Sequence, residues 1–167
     1  PLFFRVSSVD GEGGIWNLED TVALSKALKE RDIDLIDCSS GGISGDSDMP
    51  MVPRIVQFQA GFAERVRREA NILTIAVGGV TKAAEAEGIL QRGQADLIGV
   101  AREFLWNADW AAHAAKELGA PDPFGQMPHE YAYRLRLREK AKDMSINQGG
   151  AVTQVAYEKI FGKPAGT

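Results

Sequence analysis

The sequence predicts an α/β fold of four consecutive βα units with a C-terminal helical extension. Three observations carry this. Short apolar runs alternate with segments of helical period along the first 118 residues. The runs lack the inside/outside alternation of a half-buried strand, which points to a parallel sheet covered on both faces. After GAPDPFGQMP (119–128) the pattern gives way to a charged helix and a short segment, VAYEKIF (155–161). Right-handed crossovers allow such units to form an open doubly wound sheet or an arc of a barrel.

The elements follow in order. LFFRVS (2–7) is the first strand, and GEGGIWN supplies turn chemistry. Asn17 is the N-cap of the first helix, with Glu19 and Asp20 at its positive end and Leu18, Val22 and Leu28 along one face. DIDLIDCSS (32–40) is the second strand, followed by a long loop with Pro50 and Pro53 and a helix at QAGFAERVRREA (59–70). LTIAVGG (73–79) is the third strand, TKAAEAEGILQRG (81–93) a helix with Thr81 as N-cap, and ADLIGVA (95–101) the fourth strand. A helix then runs through Leu118. The expected division is a strand–helix domain over 1–118 and an extension over 119–167.

Bulk properties exclude several function classes. The 167 residues carry a net charge of −4, with 44% hydrophobic and 25% charged residues. That is ordinary globular composition, and an acidic chain is a poor match for a nucleic-acid backbone. Arg134, Arg136, Arg138 and Lys140 recur every second residue, which spreads them around a solvated helix instead of making a stripe. No apolar run approaches the roughly 20 residues of a membrane span. One cysteine, Cys38, forms no internal disulfide, and no leader pattern opens the chain. A cytoplasmic protein is expected.

Two sets of residues are candidates for chemistry. In a β/α barrel, ligands sit at the C-terminal strand ends, and phosphate usually lies after the last two strands. Here those ends read AVGGV (76–80) and GVARE (99–103). Gly78 and Gly79 would let backbone N–H groups approach an anion, and Arg102 could pair with a phosphate; plain turn geometry is the competing account. Arg5 stands inside an apolar strand, where a charge needs a partner. It is either a structural ion pair with Asp10 or Asp37, or a cation facing the barrel mouth. Cys38 is expected to be a small buried thiol, and His113 and His129 to lie on the outside.

FRVSSVDGEGGIWNLEDTVALSKALKE, DLIDCSSGGIS, FQAGFAERVRRE and TIAVGGVTKAAEAEGILQRGQADLIGVAREFLWNADW together resemble the second half of the Old Yellow Enzyme family. The resemblance runs from Pro1 to about Leu118. It implies strands five to eight of a (β/α)8 barrel of an FMN-dependent NAD(P)H oxidoreductase that reduces activated C=C bonds in enones or enoyl thioesters. It gives Arg5 the flavin N1/O2 edge, and gives Gly78, Gly79, Ala101 and Arg102 the FMN phosphate. This sequence departs from the family at Gly79, where a bulkier residue is common, and at Ala101, where glycine is. PHEYAYR (128–134) is similar to a tail motif of the shorter bacterial members, but carries Glu130 for glutamine and its arginine one residue late, at Arg134.

The family's substrate-binding histidine pair and proton-donating tyrosine belong to the first barrel half, so no catalytic residue is named here. A whole barrel needs about 250 residues. The chain is therefore expected to be a C-terminal fragment, inactive alone. It would either associate with itself through its open face or be completed by an N-terminal half. The alternative expectation is a non-catalytic half-barrel that binds a phosphate-containing ligand or a partner protein. A further possibility is a flavodoxin-like open sheet.

Overall fold

The computed structural model describes residues 1–41, 44, 46–50, 59–147 and 159, with the backbone alone for 46–50 and 143–147. Apart from Lys159, the segment 155–161 lies outside the described residues. The chain divides into two compact units, Pro1–Leu118 and Gly119–Thr167.

The first unit is built on a four-stranded parallel sheet of β1 (Phe3–Ser7), β3 (Leu35–Ser39), β5 (Leu73–Ala76) and β6 (Leu97–Ile98), in that spatial order. Strand order follows chain order without reversal. The register places Arg5 opposite Asp37 and Asp37 opposite Ile75. Helices α1 (Leu18–Lys29), α2 (Ala60–Ala70) and α3 (Ala83–Gln91) connect successive strands.

Each helix forms for local reasons. Asn17 Oδ1 accepts the N–H of Asp20, and Asp20 returns the bond to the N–H of Asn17, both at 3.1 Å. This capping box satisfies two orphan donors, and Lys26 and Lys29 complement the far end of α1. In α2, Phe62, Ala63, Val66 and Ala70 fall on one buried stripe, and Asn71 in the left-handed region ends the helix. The N-cap of α3 is Lys82, not Thr81 as the sequence suggests. The reason is Glu85, whose carboxylate accepts the N–H groups of both Thr81 and Lys82 at 3.1 Å. Those bonds hold the Glu85 carboxyl below the usual range, the Thr81 N–H contributing most.

One core cluster joins strand residues Val6, Ile36, Cys38 and Ala76 to helix residues Val22, Phe62, Ala63, Val66, Ala86 and Ile89. Leu18 and Leu28 pack against its margin. These strand residues share one pleat face, so the helices cover one side of the sheet. The other side differs from expectation. Phe3, Leu73 and Leu97 are 51%, 52% and 46% exposed, so the sheet is not buried on both faces. Nor do the described residues form the doubly wound alternative, whose helices would cover both.

The third and fourth strands are shorter than the sequence predicts. β5 stops at Ala76 because Gly78 and Gly79 take φ values of 97° and 72°, outside strand geometry. β6 can then pair only with Ile75 and Ala76. The helix expected through Leu118 is two, α4 (Arg102–Trp106) and α5 (Trp110–Glu117), because Asn107 is extended. A second, antiparallel sheet of β2 (Gly11–Glu12) and β4 (Asp46–Pro50) was not legible. Glycine, aspartate and proline are poor strand residues, and only the tertiary pairing makes them one.

In the second unit, α6 (His129–Asn147) carries the basic run. Arg136 grips Asp122 through two bonds, at 2.6 and 3.2 Å, and this holds the Asp122 carboxyl below its usual range. Arg134 is exposed and lies over the ring of its neighbour Tyr133. No helix among the described residues is long and apolar enough to cross a membrane.

Candidate functional site

The uncovered sheet face and the C-terminal strand ends form the candidate site. Arg5 projects onto that face because it alternates with buried Val6 along β1. Its Nη1 donates to Asp37 Oδ2 at 2.6 Å and its Nη2 to Ser39 Oγ at 3.0 Å. Of the two partners weighed from the sequence, Asp37 is therefore the one used. The Arg5 side chain is nevertheless 60% exposed. The physical reason is the open face: an arginine on an uncovered strand can pair and stay solvated together. Ion pair and ligand-facing cation are thus not exclusive. Two acceptors hold the guanidinium, and the remainder of its edge faces outward.

The backbone around this arginine is tied across the strand ends. Ser8 N–H donates to Ser39 O and Gly41 N–H to Val9 O, both at 2.8 Å, while Ser7 Oγ donates to Gly41 O at 2.7 Å. Asp37 Oδ1 is buried without a hydrogen-bond partner among the described residues.

Gly78 and Gly79 follow β5, and Ala101 and Arg102 follow its neighbour β6, so the fold brings these two segments to adjacent strand ends. Consecutive left-handed residues turn the backbone sharply after Ala76, and no backbone carbonyl among the described residues takes the N–H of Gly78 or Gly79. Arg102 opens α4 with an exposed side chain. Trp110 ties the two segments further: its Nε1–H donates to Thr81 O at 2.8 Å, and its ring meets Phe104 edge-on. Arg5 lies on the far edge strand, separated from β5 by β3.

Sequence reasoning passed over Asp10, except as a partner for Arg5, and passed over Ser7 and Ser39. Their signal is faint: polar residues closing an apolar strand, SS after DLIDC and SSVD after FFRV. His113 is exposed and its Nδ1 meets Asn107 Nδ2 at 3.0 Å, and His129 is an exposed first residue of α6.

Cys38 is fully buried, and burial pushes its thiol up to about 12. An unfolded thiol titrates near ~8.5. The folded state therefore favours the protonated form. This contribution to stability is complete below about pH 8.5 and is lost as pH rises from there through the folded value. At pH 8 the folded chain should react with a thiol-disulfide reagent at least ~100-fold more slowly than the urea-unfolded chain, because thiolate and access are both lacking. Equal rates would mean that the β3–helix packing opens freely.

Comparison with known proteins gives the family. The family model of the NADH:flavin oxidoreductase / NADH oxidase family matches residues 2–120, and the chain belongs to that family. The NADPH dehydrogenase of Halalkalibacterium halodurans is 47% identical over 119 residues, which are 71% of this chain and 34% of that protein. The NADPH dehydrogenase of a Geobacillus species is 46% identical over 120 residues, 71% of this chain and 34% of that protein. That of Bacillus subtilis is 42% identical over 123 residues, 74% and 35% of the two chains. The chain thus spans about a third of the length of the curated relatives it matches.

Proposed function

We propose that this chain supplies the flavin-binding C-terminal half of a (β/α)8 oxidoreductase that takes reducing equivalents from NADPH or NADH. The observation that carries the reading is the juxtaposition on one parallel sheet of a fixed, exposed arginine and two adjacent strand-end segments fit for phosphate. The residues present fit FMN. The left-handed Gly78–Gly79 backbone offers N–H groups to an anion, Arg102 offers a fork, and the Ala101 segment adds backbone beside them. Arg5 stands on the same sheet with its guanidinium held by Asp37 and Ser39.

FMN, when bound, supplies the hydride chemistry between NAD(P)H and an activated C=C bond of an enone or enoyl thioester. Within this chain, Arg5 stabilises negative charge on the ligand edge it faces, and its two protein partners spare it reorganisation during reaction. Gly78, Gly79, Ala101 and Arg102 anchor the phosphate and so fix the depth of the ring system. The protein's proton donor and carbonyl-binding groups come from the remainder of the barrel, which covers Phe3, Leu73 and Leu97. This agrees with relatives of which the matched segment is only 34–35%. Alone, the chain is expected to self-associate through that face and to be inactive. The work of this polypeptide is binding and electrostatics.

The test is equilibrium binding of FMN and riboflavin to the 167-residue chain. A working phosphate grip predicts that FMN is retained at least ~10-fold more tightly than riboflavin, because a charge-assisted bond is worth about 1.5–3 kcal/mol. Equal retention would overturn the assignment of Gly78, Gly79, Ala101 and Arg102, and retention of neither would overturn flavin binding by this chain alone.

A further inference from the structure

We propose that Asp10 is a positioning residue: its carboxylate clamps the segments that follow β1 and β3 to each other and, through Ser39, fixes the guanidinium of Arg5. Asp10 is 1% exposed, an unusual place for a carboxylate unless donors surround it. Its Oδ1 accepts the N–H of Ser44 at 2.7 Å. Its Oδ2 accepts the Ser44 hydroxyl and, at 3.3 Å, the N–H of Trp16. One side chain thus holds donors from the turn before α1 and from the segment beyond β3.

The turn is shaped to close on it. A Cβ added at Gly14 would lie 2.4 Å from Asp10 Cβ, so only glycine lets the backbone approach the carboxylate this closely. Pairing of Gly11 with Pro50 and of Glu12 with Asp46 joins the same two segments alongside. The clamp reaches Arg5 by a short path. Gly41, three residues before Ser44, is bonded to Val9 and Ser7, and Ser39, two residues earlier again, receives Arg5 Nη2. Releasing Ser44 removes the outer restraint on the residues that hold the guanidinium. That this matters to a cofactor rests on the flavin reading above; the clamp itself does not.

Asp10→Asn keeps the shape of the side chain but replaces one acceptor by an N–H₂ group, leaving a donor unmet. Amide exchange by NMR on the 167-residue chain should show at least ~10-fold faster exchange at Trp16 and Ser44, the order expected for a lost bond to a charged acceptor. Exchange at Ala86 and Gly99 should be unchanged. The Arg5 Nε–H resonance should move, although Asp10 does not touch Arg5. Unaltered exchange at Trp16 and Ser44 would overturn the clamp. Equal acceleration at Ala86 and Gly99 would also overturn it, because Asp10 would then add only global stability. A fixed Arg5 resonance beside loosened amides would overturn the positioning of Arg5.

Ser44→Ala, which removes a single hydroxyl donor, should give the same pattern at smaller amplitude and serves if Asp10→Asn does not fold. A wild-type chain that ignores FMN overturns the flavin reading, while the exchange pattern decides the clamp independently.

Discussion

Arg5→Ala should weaken FMN binding by roughly 10- to 150-fold while leaving the chain folded. The affinity loss follows from removing a charge-assisted bond of about 1.5–3 kcal/mol, at about 1.4 kcal/mol per tenfold. The stability loss should be small. The guanidinium is 60% exposed and its ion pair with Asp37 is correspondingly screened, so the pair contributes at most about 1 kcal/mol. Arg5→Lys should fall between wild type and alanine. It keeps the charge but cannot bridge Asp37 and Ser39 with two nitrogens of one rigid fork. Fluorescence titration of FMN beside a urea melt separates the two effects. An alanine variant that binds FMN as wild type does would remove Arg5 from the site, and the ion pair would then be its whole role.

Ile36→Ala should cause the largest loss of stability of any single truncation in the sheet, about 2–5 kcal/mol. Ile36 is fully buried on β3, a central strand, and pairs with Phe4 on one side and Thr74 on the other. Its side chain belongs to the cluster that joins β3 to the helix layer, so the cavity cannot collapse without moving β1 or β5. Against a typical total of about 5–15 kcal/mol, that loss leaves the variant marginal or unfolded at 25 °C. Ile36→Val should cost only ~0.5–1.5 kcal/mol. Ile15→Ala, at a residue 87% exposed, should stay within ~0.5 kcal/mol. The check is the midpoint of urea unfolding at constant slope. A small shift for Ile36→Ala would mean that the helix layer is not packed onto β3 as described.

The two predictions draw on opposite faces of the same sheet, and the sequence treats those faces alike. Apolar runs, an Asn17 cap and the glycines after Ala76 were enough to place the βα units, since each depends on residues within a few positions of one another. The Gly78–Gly79 turn and the neighbouring Ala101–Arg102 segment were legible for the same reason. What the sequence could not determine was which face of the sheet is covered. Phe3 and Leu73 look like core residues in any window, yet they are 51% and 52% exposed.

That difference decides the chemistry of Arg5. In an apolar strand taken alone, an arginine implies a buried charge. Once strand order and register set Asp37 and Ser39 beside it on an uncovered face, it becomes a paired and accessible cation. The β2–β4 pairing and the bonds from Trp16 and Ser44 to Asp10 lay equally beyond the sequence. They join residues about 30 or more positions apart in the chain at Ser44 and β4, and no local preference of glycine, aspartate or proline announces them. Local conformation follows from nearby side chains and was fixed by the sequence alone. Exposure and long-range partnership depend on which distant strands become neighbours, and only the tertiary structure decided those.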